Sequence, residues 1–139
     1  LLAGAAQADS PPSNGAHALN YRKSLYQVMA WNFGPMGAMA QGKMPYDAAE
    51  FAKRADRVAL IAPMLSEGFP AETRNLPHSE LKPAMWANRA DFDAKMKDLV
   101  ERSATLAAVA KTGDFAKSKA AFFDTANTCK ACHDKYKNE

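Results

Sequence analysis

The stretch T-A-N-T-C-K-A-C-H-D-K-Y, residues 125–136, holds both cysteines of the chain, Cys129 and Cys132, with His133 directly behind the second. Phe115, Phe122, Cys129 and Tyr136 recur at every seventh residue, and Lys119, Ala126 and His133 form the adjoining row. That spacing predicts an amphipathic helix opening at Asp114, with the cysteine and the histidine on its buried face. On such a helix two side chains three residues apart stand one turn from each other, so both thiols are presented side by side.

Helical spacing returns three more times upstream. A segment from about Ala18 to Gln41 places Arg22, Leu25, Tyr26, Met29, Phe33, Met36 and Ala40 at steps of three and four, with Gly34-Pro35 expected to kink it. A second segment follows Pro45, with Asp47 as its expected N-cap and Phe51, Ala55, Val58, Ala62 and Leu65 on one stripe. A third, from about Ala84 to Lys111, repeats Met85, Phe92, Met96, Leu99, Ser103, Leu106 and Ala110 and ends at Thr112-Gly113. β-Branched residues are sparse and nothing alternates with a period of two, so strands are not expected. The expected fold is all-α, an antiparallel four-helix bundle, whose cofactor sites are built from side chains facing inward. Residues 66–83 form a proline-punctuated connection long enough to serve as a crossover or as a cover for a site.

At 139 residues and 47% hydrophobic composition the chain suffices for one domain with its own core. The net charge of +3 comes from Lys and Arg interleaved with Asp and Glu, which gives no support to nucleic-acid binding. No stretch reaches the roughly 20 apolar residues of a membrane span. The opening residues, Leu1 to Ala8, read as the remnant of a secretory signal with an A-x-A cleavage site at Ala6-Gln7-Ala8. The expected organisation is therefore a signal remnant and flexible segment over residues 1–16 and the bundle over residues 17–139.

Four chemistries use C-K-A-C-H. A disulfide would close only a tiny loop. A redox dithiol wants a βαβ setting and a helix N-terminus to lower the thiol pKa, whereas this motif sits at the C-terminal end of a helix. A zinc site needs four ligands, and the other histidines, His17 and His78, fall in expected loops. Covalent attachment of one haem c uses every residue: two thiols one turn apart reach two vinyl groups of one porphyrin, and His133 offers an axial nitrogen to the iron. Haem of this kind is normally joined to its protein outside the cytoplasm, which agrees with an export signal.

With these residues in view the sequence resembles the cytochrome c′ family of bacterial periplasmic haem proteins. The resemblance covers nearly everything from Asn20 onward and rests on YRKSLYQVMAWNFGPM (21–36), GKMPYDAAEFA (42–52), KPAMW (82–86) and TCKACHDKY (128–136). It implies His133 as the proximal ligand and no strong ligand on the other side. By position, Tyr26 stands where the family puts a bulky residue over the distal face and where low-spin relatives put a methionine. Its phenol, with a pKa near 10, should block the iron more than bind it. Arg22 matches an arginine near the haem propionates, Lys23 stands where many members have glutamine, and Glu80 falls at a position that abuts the haem edge. Met29, one turn beyond Tyr26, is the rival sixth ligand. His17 would reach the iron only if its segment folded back. Phe69, Trp86 and Phe92 read as pocket or core residues. Lys137, on the same helix face as His133, should keep the iron–histidine bond weak.

The resemblance thus implies a periplasmic protein with five-coordinate high-spin iron that binds NO and CO and can transfer electrons. The alternative is a six-coordinate carrier ligated by Met29, with Lys130, Lys135 and Lys137 steering a redox partner. An enzyme is not expected, because peroxide cleavage wants a polar distal acid–base group. The family implies a homodimer through the first two helices, for which Trp31 and Met39 supply apolar surface.

Overall fold

Helix α1 runs from Asn14 to Ala40 without interruption in the computed structural model, which describes residues 14–138. The expected signal remnant, Leu1 to Ala8, lies outside the described residues. Asn14, Gly15 and Ala16, expected in a flexible segment, instead form the first turn of α1. Contact explains this: Gly15 is buried against the backbone of Glu72, where any Cβ would collide. Pro35 lies within the helix and breaks no part of it. Having no amide, it leaves the Trp31 carbonyl without its i+4 donor, and Arg54 Nη1 from the neighbouring helix donates to that oxygen at 2.8 Å.

Helix α2 spans Ala48–Leu65 and is capped as expected, with Asp47 accepting from the Glu50 amide at 2.9 Å. Its stripe of Phe51, Ala55, Val58, Ala62 and Leu65 is buried throughout. Contacts between Tyr21 and Glu67 and between Asn32 and Arg57 show that α1 and α2 run antiparallel.

The connection that follows contains two 3-10 turns, Ser66–Gly68 and Ala71–Thr73, and leads to a single helical turn, α3, at Ala84–Ala87. The expected unbroken third helix is interrupted at Asn88, and α4 covers Arg89–Ala110. Asn88 folds its own side chain back, Nδ2 donating to the Ala84 carbonyl at 2.9 Å, which competes with helix continuation. The predicted stripe from Met85 to Ala110 survives the break, all seven residues being buried.

Gly113, at φ 72°, makes the turn into α5, Phe115–Tyr136, which Asp114 caps by accepting from the Lys117 amide at 3.0 Å. Here the predicted face needs correction. Phe115 is 39% exposed, whereas Phe122 and Tyr136 of the same row are buried, and α5 also buries Ser118, Ala121, Thr125 and Thr128 beside them. Small side chains let α5 approach α4 closely, and Thr125 Oγ1 returns to the Ala121 carbonyl at 2.9 Å, so its burial leaves no orphaned hydroxyl. Phe122 closes the bundle at mid-height, its ring stacked on Phe33 with centroids 4.3 Å apart. The four long helices form the expected all-α antiparallel bundle, and no strand occurs among the described residues.

Candidate functional site

One turn away from the Phe33–Phe122 stack the facing residues shrink to Ala30 and Ala126, and the bundle opens into a cavity of about 590 Å³. The connection between α2 and α3 covers it, contributing Phe69, Ser79, Glu80 and Leu81 to the wall. Of the two roles expected for this segment, it performs that of a cover. The seven residues expected to hold the cofactor come together here: Arg22, Lys23 and Tyr26 from α1, Glu80 from the connection, and Cys129, Cys132 and His133 from α5. Met29, Phe69 and Phe92 also line the cavity, whereas His17 and Trp86 do not.

On the α5 wall both thiols are free and half-buried. Burial pushes each above its ordinary pKa, and for Cys132 the neighbouring Cys129 adds to the effect. His133, expected on a buried face, is exposed, because α5 borders an open cavity here instead of packed core. Partial desolvation, with the Lys137 ammonium adding to it, lowers the imidazole pKa and keeps the ring neutral with a lone pair to offer.

The α1 wall carries Tyr26 and Met29. Burial raises the Tyr26 pKa strongly and Cys132 raises it further, against a smaller opposing pull from Arg22, so the phenol stays protonated. A neutral phenol is a weak metal ligand.

Arg22, at 2% exposure, is more deeply placed than a residue at a wet edge. Its Nη1 donates to the Gly68 carbonyl at 3.1 Å and its Nη2 to the Ser79 carbonyl at 2.9 Å, with the guanidinium 4.7 Å above the Phe69 ring. Burial lowers its pKa, opposed by Tyr26 and Glu80. Arg22 thus ties both ends of the covering connection to α1. Sequence reasoning did not foresee this role, nor the pairing of residues 80–82 with the end of α5, where Lys82 N donates to the Tyr136 carbonyl at 2.7 Å. Neither feature leaves a periodic trace.

Among the described residues no cluster of three or more His, Cys, Asp or Glu side chains is placed to hold a metal ion. One neutral imidazole offers a single protein donor to a metal whose remaining ligands come from a macrocycle, and the two unpaired thiols beside it, in an apolar cavity, offer that macrocycle two points of covalent attachment. The family model for cytochrome c′ matches residues 17–137. The chain belongs to the cytochrome c′ family. It is 38% identical to the cytochrome c′ of Rubrivivax gelatinosus over 122 residues, covering 88% of this chain and 95% of that one. The solved cytochrome c prime from Shewanella frigidimarina superposes with a TM-score of 0.87 at 41% identity, covering 93% of this chain and all of that one. A ferrous variant of the Alcaligenes xylosoxidans cytochrome c prime, solved with bound NO, superposes at 0.82 with 31% identity, covering 93% of this chain and 99% of the other. The cytochrome c′ family binds haem c, and two cysteines near the C-terminus fit its covalent attachment. The cavity, its free thiols and its imidazole fit that group.

Proposed function

We propose that this cytochrome c′ takes up NO and CO at an iron held on the protein side by His133 alone, and that it works in the periplasm. The observation that carries the reading is the asymmetry of the cavity, with a neutral imidazole on the α5 wall and a phenol that cannot readily ionise on the α1 wall. When bound, haem c supplies an iron that takes up a diatomic ligand and can carry one electron. Cys129 and Cys132 would hold the ring covalently and His133 would be the axial ligand. Tyr26 narrows the space on the other side, admitting small neutral ligands and excluding larger ones and anions. Lys23 and Arg22 supply positive charge along the same wall, suited to the carboxylates of the ring, with Glu80 beside them.

The protein acts in this reading as a ligand binder and not an enzyme, since the α1 wall offers a phenol and a thioether in place of an acid–base histidine. Electron transfer remains open to it, but the expected lysine patch is partly spent: Lys130 pairs with Asp134 at 2.5 Å and Lys135 with Asp91 at 3.0 Å. Lys137, the third member of that patch, lines the cavity and remains available to a partner. A homodimer through α1 and α2 is supported by Trp31 and Leu60, 74% and 66% exposed, though Met39 turns into the core at 2%. Export agrees with attachment of haem c outside the cytoplasm, and no helix among the described residues is long and apolar enough to cross a membrane.

Met29 also lines the cavity and defines the second reading, a six-coordinate electron carrier. Absorption spectra of the purified ferric and ferrous protein, with and without CO, separate the two. Five-coordinate high-spin iron that binds CO is expected. A colourless protein, or low-spin iron indifferent to CO, would refute the proposal.

A further inference from the structure

His133 stands near the end of α5, and the last turn of a helix is where carbonyls lack intrahelical donors and the backbone frays. This end is held. Lys137, in extended conformation, donates from its amide to the His133 carbonyl at 3.1 Å and forms an isolated antiparallel bridge with Leu81. Lys82 N donates to the Tyr136 carbonyl at 2.7 Å, Asn138 N donates to the Glu80 carbonyl at 2.9 Å, and Asn138 Nδ2 reaches the Leu81 carbonyl at 3.4 Å. Glu80 serves this clasp from a left-handed backbone conformation, φ 59°, that an L-residue with a side chain adopts only when its surroundings impose it.

Two side chains anchor the clasp to the bundle. Arg22 Nη2 holds the Ser79 carbonyl from α1. On the other side Tyr136, at 1% exposure, packs its ring edge-on against Phe92 at 5.8 Å and donates its hydroxyl to the Asp91 carboxylate of α4. Lys135 also reaches Asp91, at 3.0 Å. A phenylalanine would fill the same space, so what the hydroxyl adds is direction. It fixes the rotation and height of the last turn of α5 against α4.

Building on the reading of His133 as the iron ligand, we propose that Tyr136 and Asp91 are positioning residues for His133, locking the last turn of α5 into the clasp made by residues 79–82. The hydroxyl–carboxylate bond sets where the imidazole stands before any ligand arrives.

The test uses the haem-loaded protein and its Tyr136→Phe and Asp91→Asn variants, with two measurements. The first is amide hydrogen exchange at Lys137 and Lys82, whose N–H groups donate to the His133 and Tyr136 carbonyls. The second is the ferrous iron–histidine stretching band in the resonance Raman spectrum. Tyr136→Phe is expected to speed exchange at both amides about tenfold relative to amides of α2, in line with the loss of one charge-assisted hydrogen bond, and to shift or broaden the band. Asp91→Asn keeps an oxygen to accept the hydroxyl and should fall between the variant and the wild type. Exchange faster throughout the bundle without emphasis on the clasp, or a band identical in all three proteins, would overturn the proposal. If Tyr136→Phe does not accumulate as folded protein, Asp91→Asn carries both measurements. Absence of an iron–histidine band from the wild type would instead refute the ligand assignment, and is read before any substitution is made.

Discussion

Replacing Arg22 by lysine separates two roles that an arginine at this place can have. If it serves only as a positive charge for the carboxylates of a bound ring, lysine should substitute with little loss. The structure gives it another task, because Nη1 and Nη2 reach two carbonyls, Gly68 at 3.1 Å and Ser79 at 2.9 Å, on opposite ends of the covering connection. A single ammonium cannot span both, having no planar fork. Each charge-assisted hydrogen bond contributes about 1.5–3 kcal/mol, and the contact over the Phe69 ring at 4.7 Å adds about 0.5–2 kcal/mol. Arg22→Lys, keeping one bond and part of the ring contact, is expected to cost about 2 kcal/mol; Arg22→Ala, leaving both carbonyls without a donor, about 4 kcal/mol. Gly68→Ala provides an uncharged control, since a Cβ at Gly68 would run into Arg22. Overpacking of this kind costs about 1–3 kcal/mol, and it should loosen the same segment without altering any charge. Urea unfolding of the haem-loaded proteins measures all three. Arg22→Lys and Gly68→Ala both within about 0.5 kcal/mol of the wild type, less than a single charge-assisted hydrogen bond contributes, would show that the clamp is not what the arginine contributes.

Three other outcomes follow from the same geometry. Tyr26→Ala removes the ring from the α1 wall, and if clearing it takes about 1.4 kcal/mol off the barrier, CO association measured by flash photolysis should rise about tenfold; unchanged kinetics would count against a gating role. Tyr26 is held neutral by burial while the unfolded chain ionises above about pH 10. The native state then binds the extra proton, so stability should fall by about 1.4 kcal/mol per pH unit above that value, and Tyr26→Phe should flatten the decline in denaturant titrations. Phe122→Ala, emptying the stack against Phe33 at mid-bundle, is expected to destabilise by about 3–5 kcal/mol in thermal or urea unfolding.

The features legible in the sequence are those that chain-local spacing dictates. Two thiols and an imidazole within five residues state their chemistry without a fold, and the stripes of α2 and α4 follow from a period of three to four. What could not be read depends on partners far along the chain. Tyr136 meets Asp91 and Arg22 meets Ser79 across separations of 45 and 57 residues, and no local pattern marks such pairs. The error at Phe115 has a geometric origin. Phe115 is the first residue of α5, at the end of the bundle, where its ring lies against Tyr46 of the turn between α1 and α2 at 4.7 Å and stays 39% exposed. Ser118 and Thr125 fall outside the predicted rows, yet both are fully buried, and Thr125 Oγ1 lies 3.3 Å from the Arg102 carbonyl of α4.

Side-chain size accounts for the cavity. On α5 the core-facing positions change from Phe122 to Ala126 and then to Cys129 and His133, while on α1 Phe33 gives way to Ala30 and Tyr26. The bundle is therefore closed by aromatic packing at one level and left unfilled at the next, where the reactive side chains stand. Leu65, Phe69, Phe92 and Tyr136 stay buried at this level, but the open volume lies between α1 and this end of α5 and leaves those two segments little to pack on each other. The polar ties supply what is missing: Arg22 joins α1 to the connection, residues 80–82 join it to the end of α5, and Asp91 joins that end to α4. Because these bonds ring the cavity without filling it, the chain can hold an open volume beside His133 and still fix the backbone that carries the imidazole.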